Sequence, residues 1–155
     1  MASTLPHSQA DIVAQLLIRD SIGADPDVSP LGSWPVYVSG EPNTPDNCLT
    51  VYDTAGVDDG SSMIDGELFA HEGIQVRVRA KDHRTGWTKA DAIQTWMAES
   101  VYDEITTVAG ADGSTTYLVH NFSRIGRVLA LGKDAPTSKR SLFTVNALVT
   151  VKVDE

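Results

Sequence analysis

Alternating apolar and polar residues mark the clearest strands of this chain. In residues 73–81 one face carries Ile74, Val76, Val78 and Ala80, and the other carries Gln75, Arg77, Arg79 and Lys81. Residues 141–153 alternate in the same way over a longer stretch. Because successive side chains of a strand point to opposite faces, both segments are predicted as strands with one buried face. Shorter strands are predicted at residues 34–38, 48–53, 116–122 and 127–131.

Apolar residues at spacings of three and four predict two helices. The first follows Ser8, a residue type that caps helix N-termini well, and is expected to end near Gly23. The second is predicted to begin near Thr88, and its apolar stripe continues to Val108. This longer helix is expected to lie on the sheet.

The remaining long segment, residues 54–72, is rich in glycine and acids and is predicted as a loop. The order of elements is helix, strands, helix and then antiparallel strands. It predicts an α+β fold with a mostly antiparallel or mixed sheet and helices packed on one face. With 155 residues and neither an internal repeat nor a linker, the chain is predicted to form a single domain over residues 1–155.

The charge balance argues against a protein that binds nucleic acid through its phosphates and permits one through which DNA slides. Twelve Lys and Arg stand against 21 Asp and Glu, giving a formal net charge of −9. A protein that grips nucleic acid through its phosphates is normally basic, so this class is disfavoured. A protein through which DNA slides without binding is permitted, since a negative wall repels DNA. We expect a soluble protein without a membrane-spanning segment, because no apolar run approaches the length needed.

No pattern of reactive residues predicts a catalytic, cofactor or metal site. The four histidines are scattered, and neither HExxH nor CxxC occurs. The single cysteine, Cys48, excludes an internal disulfide and fits a reducing cytoplasm or a particle assembled there. It is interpreted as a small buried thiol. An alternative remains open, a small hydrolase or binding module using Asp53, Asp58 or His71. It requires a pocket in which an acid and a base converge.

Two charged surfaces are candidates for contacts. The acidic residues of the predicted loop include Asp58, Asp59, Asp65 and Glu67. Their spacing does not match a calcium loop, and we interpret them as a solvated loop or as a contact surface for a neighbouring subunit. The cations Arg77, Arg79, Lys81 and Arg84 allow three interpretations: nucleic-acid binding, ion pairs within the same chain, or contact with the acidic loop of the next copy.

Two motifs resemble a known family. One is residues 45–56, Pro-Asp-Asn-Cys-Leu-Thr-Val-Tyr-Asp-Thr-Ala-Gly, and the other is residues 76–80, Val-Arg-Val-Arg-Ala. Together with the order of elements, they resemble the minor capsid or tail terminator proteins of long-tailed, siphovirus-type bacteriophages. The family pattern has a double glycine where this chain has Ala55-Gly56, a departure that bears on the loop contacts more than on the fold.

The resemblance implies a structural virion protein in the tail or neck, and no catalytic residues. It would form a ring, typically a hexamer, that caps the tail tube, stops its polymerisation and joins the head-to-tail connector. DNA would pass through the lumen without specific binding. The long strand 141–153 would be a liability as a free edge, which pairing with a neighbour removes. The candidate interface residues are Asp58, Asp59, Asp65, Glu67, Arg77, Arg79, Phe143, Val145 and Val149. A head-completion or neck connector protein of the same particle is the alternative.

Overall fold

A computed structural model describes residues 5–28, 33–57, 70–110, 113–135 and 138–154. In these ranges the chain forms two helices and seven strands. They are α1 (Gln9–Arg19), β1 (Val36–Val38), β2 (Cys48–Val57), β3 (Ala70–Ala80), α2 (His83–Glu99), β4 (Glu104–Gly110), β5 (Gly113–Arg124), β6 (Leu129–Lys133) and β7 (Ser141–Val153).

All the described strands belong to one mixed sheet. Its order is β1-β2-β3-β7-β5-β4, and β6 pairs with β7 beyond the end of β5. Only β1 and β2 are parallel, and the other neighbours are antiparallel. The predicted α+β class with a mostly antiparallel sheet is therefore confirmed.

The two helices cover one face of this sheet and form the core with it. α2 packs on β3, β5 and β7, and α1 packs on β1, β2 and β3. Because α1 also contacts β4 at the opposite edge, the sheet curls around this helix. Leu49, Val78 and Phe143 are register neighbours on β2, β3 and β7, and all three are fully buried beneath the helices. The predicted apolar face of β3 is confirmed, since none of its four side chains is exposed.

The caps show where the helices begin. The hydroxyl of Ser8 accepts a hydrogen bond from the backbone N–H of Asp11, so the predicted start of α1 is confirmed. α2 begins at His83, five residues before the predicted cap at Thr88, because the carboxylate of Asp82 accepts the N–H of Thr85 at 2.8 Å.

The predicted continuation of α2 to Val108 is wrong. The helix ends at Glu99, and Asp103 follows with a left-handed backbone (φ 52°). The next residues, Ile105-Thr106-Thr107-Val108, are all β-branched and form part of β4. Such residues lose side-chain freedom in a helix and fit a pleated sheet well, which explains why strand geometry prevails here.

The predicted loop at residues 54–72 is wrong at both ends. β2 continues to Val57 and β3 begins at Ala70, with a register shift between Thr54 and Val57. The two strands approach closely, since a Cβ added to Gly73 would lie 2.2 Å from Oγ1 of Thr54. A glycine in this position therefore indicates strand contact and not a flexible loop. The intervening residues, 58–69, lie outside the described part of the chain.

The long strand β7 is confirmed, but its expected position at a free edge is wrong. It pairs with β3 from Ser141 to Val151 on one side, and with β6 and then β5 on the other. The strand thus lies in the middle of the sheet. Alternation within a single strand does not reveal which segments pair beside it, and for this reason the sequence pattern was uninformative on this point.

Candidate assembly surfaces

Residues 39–47 cover Arg79 on the predicted cationic face of β3, whereas Lys81 at the end of this face is exposed. The side chain of Arg79 is only 3% exposed. Its Nη2 donates to the carbonyl of Pro45 at 2.6 Å, and its Nε donates to the carbonyl of Asp46 at 3.3 Å. Its Nη1 lies 3.3 Å from Oε1 of Glu41. Arg79 therefore holds a neighbouring segment of its own chain against the outer face of the sheet.

Arg77 is less enclosed than Arg79. Its side chain is 32% exposed, and Nη1 lies 3.2 Å from Oε2 of the same Glu41. Its guanidinium also lies over the ring of Tyr52, 5.5 Å from the ring centroid. Burial raises the pKa of Tyr52. The single carboxylate of Glu41 thus forms ion pairs with both Arg77 and Arg79.

Further contacts fix residues 39–47 from other directions. Arg140 donates from Nη1 to the carbonyl of Asn43 at 2.7 Å and pairs with Asp134. The backbone N–H of Lys81 donates to Oδ1 of Asn47 at 2.8 Å. The two motifs of the family resemblance meet at this place, because Arg79 belongs to one and Pro45 to the other. For Arg79, the arrangement matches the interpretation of ion pairs within one chain.

The other predicted interface residues have different positions. Phe143, Val145 and Val149 are each fully buried in the core of this chain, so their side chains do not reach its surface. The strand was predicted correctly, but its apolar face packs beneath the helices and not against a neighbour. The acidic candidates Asp58, Asp59, Asp65 and Glu67 lie outside the described residues.

Residues 124–133 form a surface that the sequence analysis did not identify. Every residue of β6 is exposed, and the side chains of Leu129 and Leu131 are 53% and 44% exposed. Ile125, in the bend between β5 and β6, is 50% exposed. The segment also contains Arg124, Arg127 and Lys133 and no acid. This run of cations in an otherwise acidic chain is the sequence feature from which the surface could have been predicted.

Of the residues considered for hydrolysis, Asp53 and His71 have structural contacts, and Asp58 lies outside the described residues. Oδ1 of Asp53 accepts the backbone N–H of Ala10 at 2.9 Å, so this carboxylate holds the first turn of α1. The ring of His71 contacts the hydroxyl of Thr150 at 3.0 Å. Cys48 is fully buried in β2, and burial raises the pKa of its thiol to about 11. A protonated, enclosed thiol is a poor nucleophile.

The described surface also gives no indication of a metal site. Across the described ranges, no three His, Cys, Asp or Glu side chains come together as a set of metal ligands. A shallow depression of about 350 Å³ beside α2 is lined by Trp34, Arg84, Thr85, Thr88, Lys89 and Ala92. This lining contains no carboxylate, imidazole or thiol. Neither of the described helices is long and apolar enough to cross a bilayer.

Residues 8–121 match the family model of the bacteriophage tail terminator protein. This range is well over half of the chain, and the chain therefore belongs to the bacteriophage tail terminator protein family. No curated protein matches the chain.

Membership of this family has two consequences. It gives the chain a structural role, in agreement with the prediction that it is not an enzyme, and it implies a location in the tail of the virion. The matched range ends within β5, so β6 and β7 lie beyond it.

Proposed function

We propose that this chain closes the tail tube of a long-tailed phage as a ring of identical subunits, typically six. One rim of the ring would match the last ring of tube protein. The other rim would differ from it, so that no further tube subunit can add. This second rim would present the joining surface for the connector proteins of the head and neck. The single observation that carries the proposal is the family match over residues 8–121.

Charge supports the part of the proposal that concerns DNA. With a net charge of −9, a ring of six copies would carry a large negative charge overall. A lumen with this sign of potential repels the phosphate backbone, so DNA would pass through it without sticking. Assembly would take place in the host cytoplasm, where a buried unpaired thiol such as that of Cys48 remains reduced.

Ring closure requires two different surfaces on each subunit. In a head-to-tail ring, one patch of a subunit meets a different patch of the next, and rotation closes the series. Complementary charge fixes the register of such contacts. The sequence contains four acidic residues between positions 58 and 67, and the exposed lysines and arginines elsewhere in the chain carry the opposite charge.

The test combines assembly with tube length. Native mass spectrometry across protein concentration should reveal a discrete ring-sized oligomer, either of the free protein or of protein recovered from tail tubes. Electron microscopy of growing tubes should show shorter, capped tubes when the protein is added. A variant with a charge in the core, Val145→Asp, is the matched control and is expected to do neither. A folded wild-type protein that never joins tubes and leaves their length unchanged would contradict the proposal. Binding to the head side alone would instead identify a neck connector.

A further inference from the structure

The sheet has an uncovered backbone edge beside β5 and β6. β4 pairs with β5 only as far as Val119, and the backbone N–H of Asp103 donates to the carbonyl of His120. In residues 121–133, no strand of the described chain pairs with the side of β5 and β6 that faces away from β7. Apart from the carbonyl of Gly126, which accepts from Nε2 of Gln94, the described residues leave backbone groups along this side available to another extended chain.

This edge is held in shape by the rest of the fold. β6 is paired with β7 in a defined register, Leu129 with Thr144 and Lys133 with Ser141. The bend between β5 and β6 is also fixed, since the N–H of Ile125 donates to the carbonyl of Asn146 at 2.9 Å. A preformed edge loses little conformational freedom when a strand adds to it.

The side chains of the edge combine apolar and cationic groups. We use the name β6 edge for residues 124–133. Ile125, Leu129 and Leu131 are about half exposed and form an apolar surface beside the edge. Because β6 is short and its register shifts between Ala130 and Gly132, the edge resists unspecific pairing and accepts only a segment that matches it. Arg124 and Arg127 are exposed as well, and neither makes an ion pair with another described residue.

The charge of the β6 edge is opposite to that of the remaining chain. The edge has three cations and no acid, whereas the other residues carry nine Lys and Arg against 21 Asp and Glu. The arginines of β3 differ from this surface, because Arg79 is buried and both Arg77 and Arg79 pair with Glu41. On β3, Lys81 remains exposed, whereas on the β6 edge all three cations are exposed and lie next to apolar side chains.

We propose that the β6 edge receives an acidic, extended segment of a second copy of this chain, which adds to the sheet as a further strand. The inference rests on the proposed ring and names one of its two contact surfaces. Backbone hydrogen bonds along the added strand would provide affinity. The flanking cations, Arg124, Arg127 and Lys133, would select an acidic segment and set its register. A second copy supplies the complementary charge in the same particle and at the same concentration.

The experiment uses charge reversal on this surface and on a matched one. Arg127→Glu combined with Lys133→Glu should weaken self-association at least about tenfold in native mass spectrometry and light scattering. The control, Lys81→Glu, reverses an exposed cation at the end of β3 and should leave association unchanged. Leu129→Glu should weaken association in the same way, whereas Val28→Glu, at a residue 55% exposed in a loop, should not. Circular dichroism should show that all variants remain folded.

A mixing experiment tests the identity of the occupant. The edge variant keeps all the acidic residues of the wild-type chain, so it should still dock on the edge of a wild-type copy. It cannot receive a further copy, and mixtures should therefore contain open fragments with one variant subunit at an end. Association should be measured for the free protein and on tail tubes, so that a ring formed only on tubes is also detected.

The outcomes separate the two proposals. If wild-type protein forms rings and caps tubes and the edge variants do so equally well, the β6 edge is not the contact, and the proposed function stands. If Lys81→Glu disrupts association while the edge variants do not, the contact lies on the β3 side. If the edge variants lose binding to a labelled DNA duplex with association unchanged, the edge serves nucleic acid and this inference fails. Failure of the wild-type protein to associate or to cap tubes overturns the proposed function itself.

Discussion

Replacing Arg79 with methionine tests whether this side chain fastens residues 39–47 to the sheet. Methionine keeps most of the packing volume but removes the charge and three contacts, which are those to Glu41, Pro45 and Asp46. Hydrogen bonds from a charged group contribute roughly 1.5–3 kcal/mol each, and removing one partner of a buried ion pair costs about 3–5 kcal/mol. Because Glu41 retains Arg77 as a partner, we expect a loss of about 3–4 kcal/mol in the free energy of unfolding.

Urea unfolding at neutral pH measures this loss from the shift in midpoint at constant slope. Two variants on the same strand provide the scale. Arg77→Met should cost about 1 kcal/mol, because this side chain is one-third exposed and water replaces its single ion pair. Lys81→Met should change the stability by less than about 0.5 kcal/mol. High salt should reduce the effect at Arg77 more than the effect at Arg79. A loss at Arg79 no larger than that at Arg77 would refute the fastening role.

Two further predictions concern the core and the buried thiol. Gly86→Ala should lower the melting temperature although alanine favours helices, because the added Cβ would lie 2.3 Å from the ring of Phe143 and overpacking costs about 1–3 kcal/mol. The control is Gly40→Ala, at a position surrounded by open space. Equal melting temperatures of the two variants would contradict close packing of α2 on β7. The thiol of Cys48 has a folded pKa of about 11, above its ordinary value of 9.0, so the native state holds this proton more tightly and stability should fall between pH 9 and 11 by roughly 2–3 kcal/mol. Cys48→Ala should flatten this part of the pH profile of urea unfolding, and an unchanged slope would show that the thiol is not the cause.

Elements with a single dominant signal could be predicted from the sequence. The capping residue Ser8 and the alternation in β3 and β7 specify local structure through short-range geometry, and all three were confirmed. The error at residues 104–110 arose because Ile105 and Val108 continue the helical spacing of three and four, whereas in β4 they lie on opposite faces, with Val108 4% and Ile105 50% exposed. Local periodicity alone does not separate these two geometries in a short β-branched segment.

The surfaces were harder to predict because they depend on which distant segments meet. The exposed face expected for Arg77 and Arg79 would have been correct for an isolated strand. Residues 39–47 cover it through contacts between positions more than 30 residues apart. The same limitation applied to Phe143, since pairing on both sides of β7 is a property of the whole sheet. The cationic run of residues 124–133, in contrast, is visible in the sequence and was overlooked.

The central place of β7 also has a consequence for folding during synthesis. This strand joins β3 on one side to β5 and β6 on the other, yet among the described strands it is the last to leave the ribosome. Until residues 141–153 emerge, β3 and β5 have no strand between them, and β6 lacks the strand with which it pairs. The sheet therefore closes in a single late step, and a chain that stopped before residue 141 would leave β3, β5 and β6 unpaired on the side that β7 occupies.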